Sequence, residues 1–346
     1  MQKKFLLVFL ILAICTVLCT IAYAESGAKE KTVTDMEGRT VSIPVPLQHV
    51  ITVGSVPVQN SFLFALGEGN TISNDLPESF KKQGRWKYQY VFAPNLQGEP
   101  SIQTTNNQPN VEEIVKLNPD VVFTMDKPTV DLLEKSNIPV VYLSWVNDDD
   151  VKKLMTLLGE AYNKQDEASK YLKYFDDTVN KVSSVAATIP DSDRKKVLYL
   201  AYSSMSVPHK IGDWWIEKGG GISVSNATRE TESLKIDAEQ INTWNPDIII
   251  VSTPDEIDAI QKDPKLADVT AIKNKAVYIA PMGAHTWANR GIETPLTVMW
   301  AAKTMYPDKF KDFDLEKVTH DFYKEFFGVD CTPDQIKDIL SGKAKI

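Results

Sequence analysis

The 346-residue chain is poor in cysteine and histidine, and it has no excess of positive charge. Two of its three cysteines, Cys15 and Cys19, fall in the first 24 residues. Beyond them only Cys331 remains, so no intrachain disulfide is available. The fold must be held by an ordinary core, and 43% hydrophobic residues suffice for one large or two medium domains. The formal net charge is −8, which argues against nucleic acid as a partner. A Gly-rich phosphate loop, HExxH and G-x-S-x-G are all missing. Gly219-Gly220-Gly221 follows a predicted helix and reads as its stop, and Ser203-Ser204 has no partnered base legible in sequence. After Ile21 no segment is long and apolar enough to span a bilayer.

The one long apolar run is Phe5 to Ile21, preceded by Lys3 and Lys4 and followed by Ala22-Tyr23-Ala24 and Glu25. That pattern predicts a secretory signal peptide over 1–24, with an uncleaved membrane anchor as the alternative. Ile14 and Leu18 stand where a lipidation signal needs a small residue before Cys15 and Cys19, so no lipid anchor is expected.

From Lys31 onward the chain alternates strand and helix. Thr32-Val33-Thr34 and Thr40-Val41-Ser42-Ile43 predict a hairpin turning at 36–39, and His49 to Val53 a buried strand. Strand and helix patterns then follow to 147, and again from Lys196 onward. Between them, 148–189 carries apolar residues at spacings of three and four with no proline before Pro190. This predicts one helix of about 60 Å at ~1.5 Å per residue. "NVEEIVKLNPDVVF" at 110–123 returns as "DAEQINTWNPDIII" at 237–250. Each copy predicts a capping box (Asn110 with Glu113, Asp237 with Gln240), a short helix, an Asn-Pro-Asp turn and an apolar strand. The period is too long for a solenoid of about 20–50 residues per repeat. The expectation is therefore an α/β protein: two similar Rossmann-like lobes, 25–147 and 191–346, with mainly parallel sheets, joined by a long helix over 148–190. Parallel sheets offer ligand loops at their carboxyl ends, so two facing lobes make a cleft.

This order of elements, from "TVTDMEGRTVSIP" to "WAAKTMYPDKF", resembles the periplasmic-binding-protein family built around a single rigid linking helix. The resemblance implies a solute-binding protein of an ABC importer for ferric siderophores, haem, vitamin B12 or metal oxyanions, working as a monomer outside the cytoplasmic membrane. It further implies that one glutamate on each lobe docks onto arginines of a permease dimer; the matching positions are Glu112 and Glu239. Read by themselves, both are second residues of predicted helices, where an acid also favours the positive end of the helix dipole.

The loops after the predicted strands supply candidate ligand-binding residues. These are Arg85, Trp86, Lys127 and Trp145 in the first lobe, and Ser203, Met205, His209, Trp214, Trp215, His285, Trp287 and Arg290 in the second. Aromatic walls with a few cations suit a bulky anionic metal chelate. The expected cargo is an iron complex, a ferric siderophore or haem, with an oxyanion or cobalamin as alternatives on the same scaffold and a secreted hydrolase as the reading of another class. No intrinsic cofactor is expected. His285 or His209, with Met205 or Met282, could approach a haem iron, though no spacing demands it.

Overall fold

The computed structural model describes residues 29–343 apart from Thr105. The signal peptide expected over 1–24 lies outside the described residues. The predicted hairpin forms from β1 (Lys29–Thr34) and β2 (Thr40–Val45), paired antiparallel. Asp35 fastens it to the first lobe: its carboxylate accepts from the backbone N–H groups of Glu37, Arg39 and Tyr142 and from the Arg39 guanidinium.

The first lobe contains β3 (Val50–Val53), α1 (Val56–Ala65), α2 (Lys87–Phe92), α3 (Val111–Leu117), β4 (Val121–Thr124), α4 (Lys127–Glu134) and β5 (Val140–Tyr142). Its sheet runs β3-β4-β5, all parallel. Two helices follow, α5 (Asp148–Tyr162) and α6 (Gln165–Ala186). The second lobe contains β6 (Lys196–Tyr199), α7 (Ile211–Lys218), β7 (Ile222–Ser223), α8 (Ala238–Trp244), β8 (Ile248–Val251), α9 (Pro254–Lys262) and β9 (Val277–Ile279). Its sheet order is β9-β8-β6-β7, again parallel. Helices α10 (Thr294–Met305), α11 (Leu315–Phe326) and α12 (Pro333–Ser341) end the described chain. β3, β4 and β8 are buried along their whole length, as strands covered on both faces must be.

The repeat is structural. Asn118 and Asn245 cap α3 and α8 in the left-handed conformation, at φ 46° and 43°. The prolines that follow stop each helix. The aspartates then clamp a neighbouring strand. Asp120 Oδ2 accepts from Gln48 N (2.6 Å) and His49 N (2.8 Å), and Asp247 Oδ2 from Lys196 N (2.8 Å). The expected capping boxes form only in their forward half: Asn110 accepts from Glu113 N, and Asp237 from Gln240 N. Glu113 turns instead to Lys116. A full reciprocal box is found elsewhere, at Thr332 and Gln335.

The single 60 Å helix expected over 148–190 is corrected to two. Asn163, at φ 56°, ends α5 in the left-handed conformation. A Cβ on Gly159 would lie 2.5 Å from Ala168 Cβ and 3.1 Å from the Lys164 carbonyl, so α6 starts folded closely against α5. Periodicity could not reveal the break, because both helices keep the same apolar spacing across it. The connecting element is α6 alone, about 33 Å long. Its start meets the first lobe through Lys164 and Glu68, while Tyr171 donates to the Ile292 carbonyl and Ser183 to that of Lys218. A second connection is aromatic. Phe92 stacks on Tyr323 at 4.7 Å, and Phe64 meets Phe327 edge-on at 5.7 Å, so helices from the chain's end complete the core of the first lobe.

Candidate functional site

The carboxyl ends of the two sheets meet through specific hydrogen bonds. From the first lobe, Arg85 Nη2 donates to the Ser252 carbonyl after β8 (2.6 Å) and to Met282 Sδ after β9 (3.2 Å). Trp145, after β5, donates its indole N–H to the Arg290 carbonyl (3.0 Å), and Gln89 donates to the Ala284 carbonyl (2.6 Å). These bonds place Arg85, Trp86 and Trp145 against the 280–293 segment.

Four basic side chains gather there. Arg85 is half-buried, burial pulls its pKa below the ordinary arginine value, and it forms no ion pair among the described residues. His285 is buried, with its ring centroid 5.3 Å from that of Trp86. Burial, and then the neighbouring His209, push its pKa down to about 3, with Arg85 and Arg290 adding to the depression. The imidazole is therefore neutral at ordinary pH. Arg290 lies over the Trp145 ring at 5.9 Å and donates to Glu232 Oε1. His209 Nδ1 sits 3.0 Å from the same carboxylate oxygen and 3.1 Å from Arg290 Nη1. Polar groups line the neighbourhood: Tyr199 O–H, at the end of β6, lies 2.6 Å from Asn289 Oδ1 and 2.8 Å from Ser252 Oγ.

The tryptophans play a different part from the open aromatic wall expected. Trp145, Trp215 and Trp287 are 1%, 0% and 1% exposed. Their N–H groups are spent on Arg290 O, Ala288 O and the Tyr323 hydroxyl, so they brace the 284–292 segment from behind. Trp86 donates to Gln83. Trp214 faces Phe175 of α6, away from the cluster. Lys127 is also outside it, exposed at the start of α4, paired with Glu37 and over the Tyr142 ring. Ser203 is exposed and donates its backbone N–H to Glu256 (3.2 Å), while Met205 is left-handed at φ 44° and packs on the second lobe's core. Met282 is engaged by both Arg85 and Thr286. Among the described residues no three His, Cys, Asp or Glu side chains are placed to hold a metal ion. Glu112 and Glu239 are exposed on α3 and α8, and Glu112 pairs with Lys116 at 3.1 Å.

Sequence reasoning missed Tyr199, Ser252, Asn289, Glu232 and Glu293. Tyr199 and Ser252 were findable, since each stands at the carboxyl end of a predicted strand. Glu232 sits in the polar stretch "RETES", which has no periodicity to flag it. Glu293 is buried at the foot of the 283–292 segment, accepting from Ala284 N (2.7 Å), His285 N (3.4 Å) and the Tyr323 hydroxyl (3.0 Å). This cluster leaves room only for glycine at 283, where a Cβ would lie 1.9 Å from the Tyr323 oxygen and 2.6 Å from Glu293 Oε1.

Residues 85–283 match the family model described as periplasmic binding protein. The molybdate-binding protein MolA of Haemophilus influenzae is 25% identical over 338 residues, covering 89% of this chain and 94% of that protein. The iron-uptake system-binding protein of Bacillus subtilis is 22% identical, covering 79% and 89%. A periplasmic solute binding protein of Veillonella parvula has a crystal structure that superposes with TM-score 0.77 at 29% identity, over 90% of this chain and 97% of that one. All three are named for binding rather than for a reaction.

Proposed function

Since this chain belongs to the periplasmic binding protein family, the substrate-binding components of ABC importers, we propose that it captures a compact oxyanion of the molybdate class between its lobes and delivers it to a membrane permease. The observation that carries this reading is Arg85: a half-buried guanidinium at the lobe junction that forms no ion pair among the described residues, the buried Glu256 carboxylate acting on it only from a distance. Holding a charge out of water is costly unless an opposite charge joins it, and a bound anion would supply that charge. Arg290, with His209, Tyr199 and Asn289 close by, supplies further charge and hydrogen bonds of the kind a tetrahedral oxyanion accepts. MolA of H. influenzae, named for molybdate, supports the choice. The bulky iron chelate expected from the aromatic loops is less well supported, because the indoles that would have walled it are committed to packing. It stays as the second reading on the strength of the B. subtilis iron-uptake relative.

The protein is proposed to act as an exported monomer, with Glu112 and Glu239 as its contacts to the permease. Among the described residues no helix is long and apolar enough to cross a membrane. The test is calorimetric titration of the wild type and Arg85→Ala with molybdate, tungstate, haemin and a ferric siderophore. Molybdate or tungstate should bind the wild type, and the variant should lose about 10–100-fold in affinity, as expected for a charged hydrogen-bond partner. Chelate binding that ignores Arg85→Ala, with no oxyanion binding, would overturn the proposal.

A further inference from the structure

Glu232 sits among the groups an anionic cargo would use. Its Oε1 accepts from Arg290 Nη1 and lies 3.0 Å from His209 Nδ1, and its Oε2 accepts from Lys210 N at 3.3 Å. Two basic side chains and one backbone N–H are what an oxyanion would collect. The backbone presenting this carboxylate is pinned from beneath. The Arg229 side chain, fully buried and paired with Asp213, donates to the carbonyls of Glu232 (2.6 Å), Val207 (3.1 Å) and Thr231 (3.3 Å). The Glu232 side chain itself is 32% exposed, so it can rotate towards water while its backbone stays in place.

We infer that Glu232 is a resident surrogate anion: its carboxylate occupies the Arg290–His209 position until a more highly charged oxyanion displaces it. This deepens the proposed function and rests on the cargo being anionic. The carboxylate carries one negative charge. A dianion competes with it on favourable electrostatic terms, because attraction to the same Arg290 guanidinium scales with charge. A monoanion of the same shape has no such advantage. The device therefore sets a charge threshold, admitting dianions and refusing monoanions that shape alone would accept. Specificity built on a competing internal group is a repulsive element, as discrimination between near-identical ligands requires.

Tungstate and perrhenate are tetrahedral oxyanions of similar size and different charge, so they isolate the effect. Both would be titrated into the wild type, Glu232→Gln and Glu232→Ala, with circular dichroism as the check on folding. The wild type should prefer tungstate strongly. Both variants should bind both anions more tightly, perrhenate by at least about tenfold, because the cost of displacing the carboxylate is the same for each and only the dianion can meet it in the wild type. If tungstate binds the wild type and the folded variants bind both anions more weakly, Glu232 only orients Arg290; the inference falls while the oxyanion reading stands. If the wild type binds neither anion and the variants bind perrhenate, the surrogate stands and the molybdate-class cargo falls. Variants that bind neither anion overturn the inference.

Discussion

Glu293 and His285 are buried side by side with opposite demands on pH. Burial raises the Glu293 carboxyl from 4.5 to about 7, so the native state holds a proton there that the unfolded chain has released. That contribution to stability is complete below pH 4.5 and is lost as pH rises through about 7. His285 is depressed from 6.5 to about 3, so its contribution is complete above 6.5 and is lost as pH falls towards 3. Between pH 4.5 and 6.5 the two slopes oppose one another in the wild type. Glu293→Gln removes one of them. Unfolding free energies from urea titrations should therefore shift in the variant's favour by a few kcal/mol from pH 4.5 to 7, at ~1.4 kcal/mol per pKa unit. A constant offset between the two proteins across that range would reject this account. The sequence puts His285 on a candidate ligand loop, where the structure finds it buried beside Trp86, but gives no sign of Glu293. One sequence shows that a residue is ionisable, but it does not show which side of a loop faces the core.

At the scale of elements, the Asn-Pro-Asp turn shows what is legible and why. The repeated words gave helix, stop and strand correctly in both lobes, because the information is local: a residue tolerant of φ above zero, a ring that cannot continue a helix, then a β-branched run. The break at Asn163 was missed because it carries no proline, and because the contact of Gly159 with Ala168 exists only once the helices are folded together. The buried tryptophans were misjudged for a related reason. Their positions after strands were right, but orientation is settled by packing between lobes. Asn118→Gly should leave stability unchanged or slightly raised, whereas Asn245→Gly also removes the acceptor of the Thr270 N–H and should cost about 1 kcal/mol; the alanine variants should each lose about 1–2 kcal/mol in chemical denaturation. Asp120→Ala orphans two backbone N–H groups and Asp247→Ala one, so the first should cost more. Equal costs would mean that water replaces these clamps.

For the whole molecule, α6 and the aromatic contacts of Phe64 and Phe92 with the terminal helices join the lobes at two places. Ligand should therefore produce little change in radius of gyration, and a scattering change typical of clamshell closure would contradict this. The two-lobed symmetry makes a separate prediction. A monomer can match a two-fold permease by presenting similar knobs on both halves, and Glu112 and Glu239 are exposed at equivalent places. Glu112→Lys combined with Glu239→Lys should abolish uptake with ligand affinity intact, and each single change should reduce it partially, chiefly through slower association. Normal uptake by the folded double variant would remove these two residues from the interface.

The contact of Phe64 and Phe92 with Tyr323 and Phe327 also bears on the order in which the chain is made. The first lobe is synthesised early, but part of its core is written last. Until ribosomes pass residue 327, Phe64 and Phe92 lack their Tyr323 and Phe327 partners, and until residue 338 the Tyr88 hydroxyl lacks the Asp338 carboxylate, 2.7 Å away in the finished fold. A nascent first lobe therefore lacks part of its core, which suits a chain proposed to be exported. A chain ending at residue 313 should remain protease-sensitive throughout 29–147, although every strand of both sheets is present in it.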